Sequence, residues 1–182
     1  QDIHDIEIEL EKLKSKKAKT SQKTLIAFNW KMNPAKLAEA MELVKKVYDQ
    51  ASFKNASKIA DVVFFPPVIF LSDLKKNFKN INFGVQNISD FAEGAHTGEI
   101  SALQAQGMGA SFVIVGHSER RASRGKNGET NEQIAIKLKL AHKYKLKPIV
   151  CVGEDSREGD GDYHNFVKEQ LLASLSGLSK NE

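Results

Sequence analysis

The sequence predicts an α/β protein built on a parallel sheet. From Thr24 onward, short β-rich runs alternate with longer amphipathic segments, and the runs are apolar at consecutive positions rather than at every second one. Both features belong to strands that are covered on two faces and joined by helical crossovers. A third observation is one of position. The residues with chemistry to offer cluster directly after these runs, where the loops of a parallel strand–helix architecture converge on one face.

The first strand is expected over Thr24 to Asn29, with Leu25, Ile26, Ala27 and Phe28 too continuously apolar to face water on either side. Asn33 suits an N-cap and Pro34 the first helical position, and Leu37, Met41, Val44 and Tyr48 supply the buried face of that helix. The second unit runs from Ala60 to Phe65, through Pro66 and Pro67, into a helix ending near Lys79. The third strand, Ile81 to Asn87, leads into a glycine-bearing loop from Ser89 to Glu99 and a short helical run from Ser101 to Gln106. The fourth strand, Ser111 to Val115, runs directly into Gly116 and His117. Thr130 and Gln133 have capping-box spacing and open a helix whose apolar face includes Ile134, Leu138 and Ala141. Lys147 to Val152 is the fifth strand. A helix over Asn165 to Ser176 follows, with Phe166, Leu171, Leu172 and Leu175 on or near its buried side and Gly177 as its stop.

Residues 1 to 23 are of a different kind. Asp2, Asp5, Glu7, Glu9 and Glu11 form an acidic block, and Lys12, Lys14, Lys16, Lys17, Lys19 and Lys23 a basic one. Ile3, Ile6, Leu10 and Leu13 recur at helical spacing, so the segment reads as a charged helical extension or linker, with charges ordered as the helix dipole favours. The domain proper is residues 24 to 182.

Composition narrows the functional classes. A hydrophobic content of 41% over 182 residues supports one soluble globular domain with a sizeable core. The longest apolar stretch, Val62 to Leu71, is broken by two prolines and falls well short of the roughly 18 residues of a membrane span. A net charge of +4, spread along the chain, lacks the clustering that a nucleic-acid partner requires. Cys151 is the only cysteine and has no intrachain partner, which fits a reducing, cytoplasmic setting and a small buried residue. His4, His96, His142 and His164 show no metal-ligand spacing.

Phe28-Asn29-Trp30-Lys31-Met32-Asn33 and Val115-Gly116-His117-Ser118-Glu119-Arg120-Arg121 closely resemble the signatures of the triosephosphate isomerase family. Gln86-Asn87-Ile88-Ser89, Gly94 to Ser101, and Cys151-Val152-Gly153-Glu154 resemble it in the same order. The resemblance covers the chain from about Thr24 and implies a parallel (β/α)8 barrel, here about its first five units. It implies an aldose–ketose isomerase of glycolysis and gluconeogenesis that interconverts dihydroxyacetone phosphate and glyceraldehyde 3-phosphate through an enediolate. Such chemistry needs a carboxylate base for a C–H proton and donors for the developing oxyanion.

By this resemblance His117 is the electrophilic donor; the family is itself the standing illustration of a histidine kept neutral for that role by a helix N-terminus. Lys31 places a positive charge beside the phosphate and the enediolate, and Asn29 bonds the substrate and steadies that lysine. Glu119 is the carboxylate that pairs with Lys31, since a buried cation and carboxylate support one another. Asn29, Lys31, His117 and Glu119 are thus the expected catalytic set, with Asn29 and Lys31 also binding substrate. The loop around Thr97 implies a homodimer, with Gln86, Thr97 and Glu99 as candidate interface residues. Neither a metal nor an organic cofactor is implied.

The chain also departs from the family pattern. Phe28 stands where a glycine is common, His96 where an aromatic residue is usual, and Ala122-Ser123 in place of a bulkier pair. A complete barrel has eight strands and about 250 residues, and the family's base follows strand six. No glutamate of this sequence, Glu154 and Glu182 included, lies in that base motif. The chain therefore reads as a fragment without the catalytic base, inactive alone and unstable or aggregating because unpaired strand edges and apolar faces are exposed. The alternative class is a non-catalytic barrel remnant or interaction module. Retention of Asn29, Lys31, His117 and Glu119 together favours the enzyme.

Overall fold

The computed structural model describes residues 23–121, 128–154 and 163–179. The charged segment up to residue 22, Ala122-Ser123 and Glu182 lie outside them. Five strands form one sheet: β1 (Thr24–Asn29), β2 (Ala60–Phe65), β3 (Asn82–Val85), β4 (Phe112–Val115) and β5 (Lys147–Val150). They lie in chain order and every neighbouring pair is parallel, with Phe28 opposite Phe64, Gly84 opposite Phe112 and Val115 opposite Val150. The helices are α1 (Leu37–Tyr48), α2 (Ala51–Ile59), α3 (Leu71–Asn77), α4 (Ala102–Gly107), α5 (Ser118–Arg121), α6 (Asn131–Lys143) and α7 (Tyr163–Ser174), and a 3-10 turn over Val68–Phe70 precedes α3.

Side chains of a strand point alternately to its two faces, and the core divides accordingly. Val62 and Phe64 of β2, Phe83 and Val85 of β3, and Val113 and Val115 of β4 join Ala40, Val44, Leu71, Leu74, Ile134 and Leu138 of the helices in the larger cluster. On the opposite face Val63, Phe65, Phe112 and Ile114 pack together with Ile149 and Cys151. The continuous apolar runs are thus strands with packing on both sides. At Gly84 a Cβ would lie 2.3 Å from Phe65 Cε1 and 2.8 Å from the Phe112 carbonyl oxygen, so only glycine fits between β2 and β4.

Four expectations need correction. β1 is not covered on both faces: Leu25, Ile26 and Phe28 are 42%, 37% and 42% exposed, because β1 is an edge strand with a neighbour on one side only. The first helix starts at Leu37 with Lys36 as its N-cap, not at Pro34, because the Asn33 N–H is committed to the Trp30 carbonyl in a turn at 3.1 Å. In α1 the buried residues are Ala40 and Val44, while Leu37 is exposed. The last helix begins at Tyr163 and turns Phe166, Leu171 and Leu175 outward, since it lies against α6 and buries only Ser174 fully.

The helix α2 was not foreseen. Its sequence carries no acidic first turn, and its large apolar residues are Phe53 and Ile59 alone, the latter 76% exposed. Phe53 anchors it, lying 5.9 Å from the Tyr48 ring and 6.2 Å from that of Phe64. The capping boxes are present at both Ser101 with Gln104 and Thr130 with Gln133, and the latter opens α6 with Ile134, Leu138 and Ala141 buried. Gly177 closes α7 in the left-handed region at φ 71°.

Candidate active site

The four expected catalytic residues converge beyond the carboxyl ends of β1 and β4. Asn29 ends β1, and its Oδ1 accepts the Lys31 N–H at 3.0 Å. This short loop holds Lys31 at φ 54°, a conformation L-residues avoid and keep only where surrounding bonds fix it. The Gln86 amide supplies such bonds: Nε2 donates to the carbonyl oxygens of Lys31 and Phe65, each at 2.9 Å. The Trp30 N–H also donates to the Phe65 carbonyl, at 3.1 Å. The loop after β1 is therefore laced to the ends of β2 and β3.

From that loop the Lys31 side chain reaches Glu119, with Nζ 2.5 Å from Oε1. The two side chains are 53% and 57% exposed, so the pair sits in an open mouth. The hydrogen bond from Lys31 holds the Glu119 carboxyl below its ordinary value, outweighing the opposing desolvation, and the lysine's charge adds to the effect.

His117 follows β4 through Gly116, whose φ is 71°. The N–H groups of Arg120 and Arg121 both donate to the His117 carbonyl, at 2.8 and 3.1 Å, and close the one-turn helix α5. Within that turn the Glu119 N–H donates to His117 Nδ1 at 3.2 Å. The nearer Glu119 carboxylate oxygen is 3.6 Å from Nδ1, outside hydrogen-bond range, so Nδ1 is an acceptor rather than a donor. In the neutral ring the proton then lies on Nε2, on the opposite edge from the Glu119 N–H. A lysine cation, the carboxylate that orients it and an imidazole donor thus form one contiguous unit through Glu119.

The expected interface residues have different surroundings. Thr97 and Glu99 are exposed on the loop after β3, which is closed at its base by the Ser89 N–H on the Ile100 carbonyl at 2.8 Å. Phe91 and His96 stack within it at 3.7 Å, and Phe91 remains 48% exposed. Gln86 instead bonds within the chain, to the Lys31 loop. Sequence reasoning missed this supporting role, although the position of Gln86 just after β3 placed it among the residues converging on the site. It also missed the buried Lys137, whose Nζ bonds Glu129 at 2.6 Å and Asn87 at 3.0 Å, while Arg120 grips the same Glu129 carboxylate. No group of three His, Cys, Asp or Glu among the described residues is placed to hold a metal ion.

A family model described as triosephosphate isomerase matches residues 24–182. The chain belongs to the triosephosphate isomerase family. It is 34% identical over 171 residues to the triosephosphate isomerase of Coxiella burnetii (strain Dugway 5J108-111), covering 86% of this chain and 64% of that protein. It is 41% identical over 169 residues to that of Mycobacterium ulcerans (strain Agy99), covering 89% of this chain and 62% of the relative. A crystal structure of triosephosphate isomerase from Bartonella henselae is similar with a TM-score of 0.75 and 29% identity, over 87% of this chain and 64% of that one. The five parallel units are thus part of the triosephosphate isomerase (β/α)8 barrel. This chain spans less than two thirds of the length of the family members it matches.

Proposed function

We propose that this chain supplies the electrophilic half of a triosephosphate isomerase active site. The observation that carries the reading is the contiguous Lys31–Glu119–His117 unit at the carboxyl ends of β1 and β4. In the reaction a base removes a proton from the carbon beside the carbonyl of dihydroxyacetone phosphate. The C–H electron pair becomes the C=C bond of the enediolate, and the carbonyl oxygen takes the negative charge. His117 Nε2–H donates to that oxygen, a bond that strengthens as charge develops. Lys31 sits where one ammonium faces both the phosphate and the enediolate, Asn29 holds the Lys31 loop and contacts substrate, and Glu119 keeps the lysine in place. Return of the proton to the neighbouring carbon, with the hydroxyl proton of the first oxygen shifting to the oxyanion as the C=O bond forms on the first carbon, gives glyceraldehyde 3-phosphate. The proton-abstracting carboxylate and the remaining phosphate contacts come from barrel units other than these five.

The exposed loop carrying Phe91, Thr97 and Glu99, and a Met32 that is 92% exposed on the loop after β1, support assembly with a second copy. We assign Thr97 and Glu99 to that contact, and Gln86 to the loop on which it rests. The working compartment is the cytoplasm, with glycolysis and gluconeogenesis as the setting; no helix among the described residues is long and apolar enough to cross a membrane.

The test is isomerisation by residues 24 to 182 joined to the remaining third of the Coxiella burnetii relative. Turnover is expected, and Lys31→Met or His117→Gln should each reduce kcat/KM at least 100-fold, about the cost of removing one oxyanion donor. A folded hybrid with no turnover, or with turnover indifferent to His117, would overturn the reading.

A further inference from the structure

We propose that Arg121 is the positioning residue for His117, its guanidinium clamping the turn that aims the imidazole. Arg121 closes the short helix α5, four residues after His117. Its Nε donates to the Gly116 carbonyl at 2.8 Å, and that carbonyl belongs to the peptide bond joining Gly116 to His117. The orientation of this peptide plane sets the direction in which His117 leaves the strand. Gly116 and the guanidinium are packed together closely: a Cβ at Gly116 would lie 2.8 Å from Arg121 Nη2 and 2.9 Å from Ile134 Cδ1.

The other donors of Arg121 reach three separate elements. Nη1 bonds Asn131 Oδ1 at the start of α6, at 2.6 Å. Nη2 bonds the Cys151 carbonyl just after β5 at 3.1 Å and Ser174 Oγ at the end of α7 at 3.0 Å. Ser174 is fully buried and its hydroxyl donates to the Gln170 carbonyl at 2.7 Å, so its oxygen is turned to receive the arginine. One planar cation therefore ties the turn after β4 to the end of β5 and to the helices outside it. A guanidinium can do this because its five donors point in fixed directions in one plane; an ammonium has three donors on one atom and cannot reach acceptors so dispersed. The backbone N–H of Arg121 meanwhile holds the His117 carbonyl at 3.1 Å, so one residue grips both ends of the His117 unit. The Glu119 N–H that bonds Nδ1, and thereby keeps the proton on Nε2, lies inside that grip.

The inference rests on His117 being the electrophile, but its readout does not need turnover. The full chain is labelled with 15N-histidine, sedimented and observed by magic-angle-spinning NMR, with the His117 signals identified by their loss in His117→Asn. The unsubstituted chain is expected to show a pyridine-like Nδ1 and a pyrrole-like Nε2. In Arg121→Lys the two resonances should converge as the tautomers average. Asn131→Ala keeps the arginine but removes one acceptor and should give a smaller convergence of the same sense; it decides the matter if Arg121→Lys does not fold. An unaltered ring signature in the folded variants, even with a lowered melting temperature, would overturn the proposal by leaving Arg121 a stabilising role only. Failure of the electrophile assignment would look different: the ring would still respond to Arg121 while the joined barrel was indifferent to His117.

Discussion

Lys31 spends backbone energy to stand where it does. Residues other than glycine at a φ near 54° cost of order 1–3 kcal/mol and persist where neighbours fix them. Asn29, Gln86 and Glu119 hold the Lys31 N–H, its carbonyl and its ammonium. The exposed Lys31–Glu119 pair carries a pH signature. The folded-state pKa of Glu119 is depressed, so the pair's contribution is fully present above the ordinary carboxylate value of 4.5 and is lost as pH falls through the lower folded value. The melting-temperature difference between the chain and Lys31→Met should therefore be constant near neutrality, shrink below pH 4.5 and shrink in high salt. A difference that grows on acidification would refute the pairing. That Asn29, Lys31, His117 and Glu119 meet was legible because their motifs lie at or just beyond the ends of β1 and β4. Gln86 and Arg121 were read as parts of motifs, but their bonding was hidden. An amide or guanidinium declares its acceptors only once distant carbonyls are brought together, 55 residues away for Gln86 and Lys31 and 30 for Arg121 and Cys151.

At the level of elements, the local signals that came through were those with a local mechanism. Thr130 and Gln133 satisfy each other's backbone N–H groups, at 3.3 and 3.0 Å, whatever the rest of the chain does, and so α6 could be placed from two residues. Thr130→Ala should cost about 1 kcal/mol, seen as a lower urea midpoint with an unchanged slope; no shift would mean that packing alone sets the start of α6. The start of α1 was misplaced because Asn33, a good cap residue in isolation, bonds back to Trp30 in the turn that carries Lys31, and the helix is capped at Lys36. The helix α2 stayed hidden because its anchoring ring, Phe53, finds its partners Tyr48 and Phe64 only in three dimensions. The strands were legible for the opposite reason, since continuous apolar runs mark burial on two faces and β2 and β4 have it.

Over the whole molecule, the number and order of the units were readable, and the covering of the outermost ones was not. β1 and β5 each have a neighbour on one side, and β1 leaves Leu25, Ile26 and Phe28 more than a third exposed. Unpaired parallel edges of this kind recruit further strands. The 182-residue chain should therefore associate with rising concentration in sedimentation velocity, and Ile26→Lys on the edge should reduce that association; a concentration-independent monomer would contradict it. On the proposed reading, these five units supply the donors for an enediolate oxygen, and the carboxylate that makes the enediolate comes from other units. Deuterium uptake into dihydroxyacetone phosphate separates these two halves, because it registers C–H cleavage even when no product is released. With the 182-residue chain in D2O, uptake is expected at the buffer rate. Uptake well above that rate would show that a base among these residues already meets the substrate, and would contradict the division of the site described here.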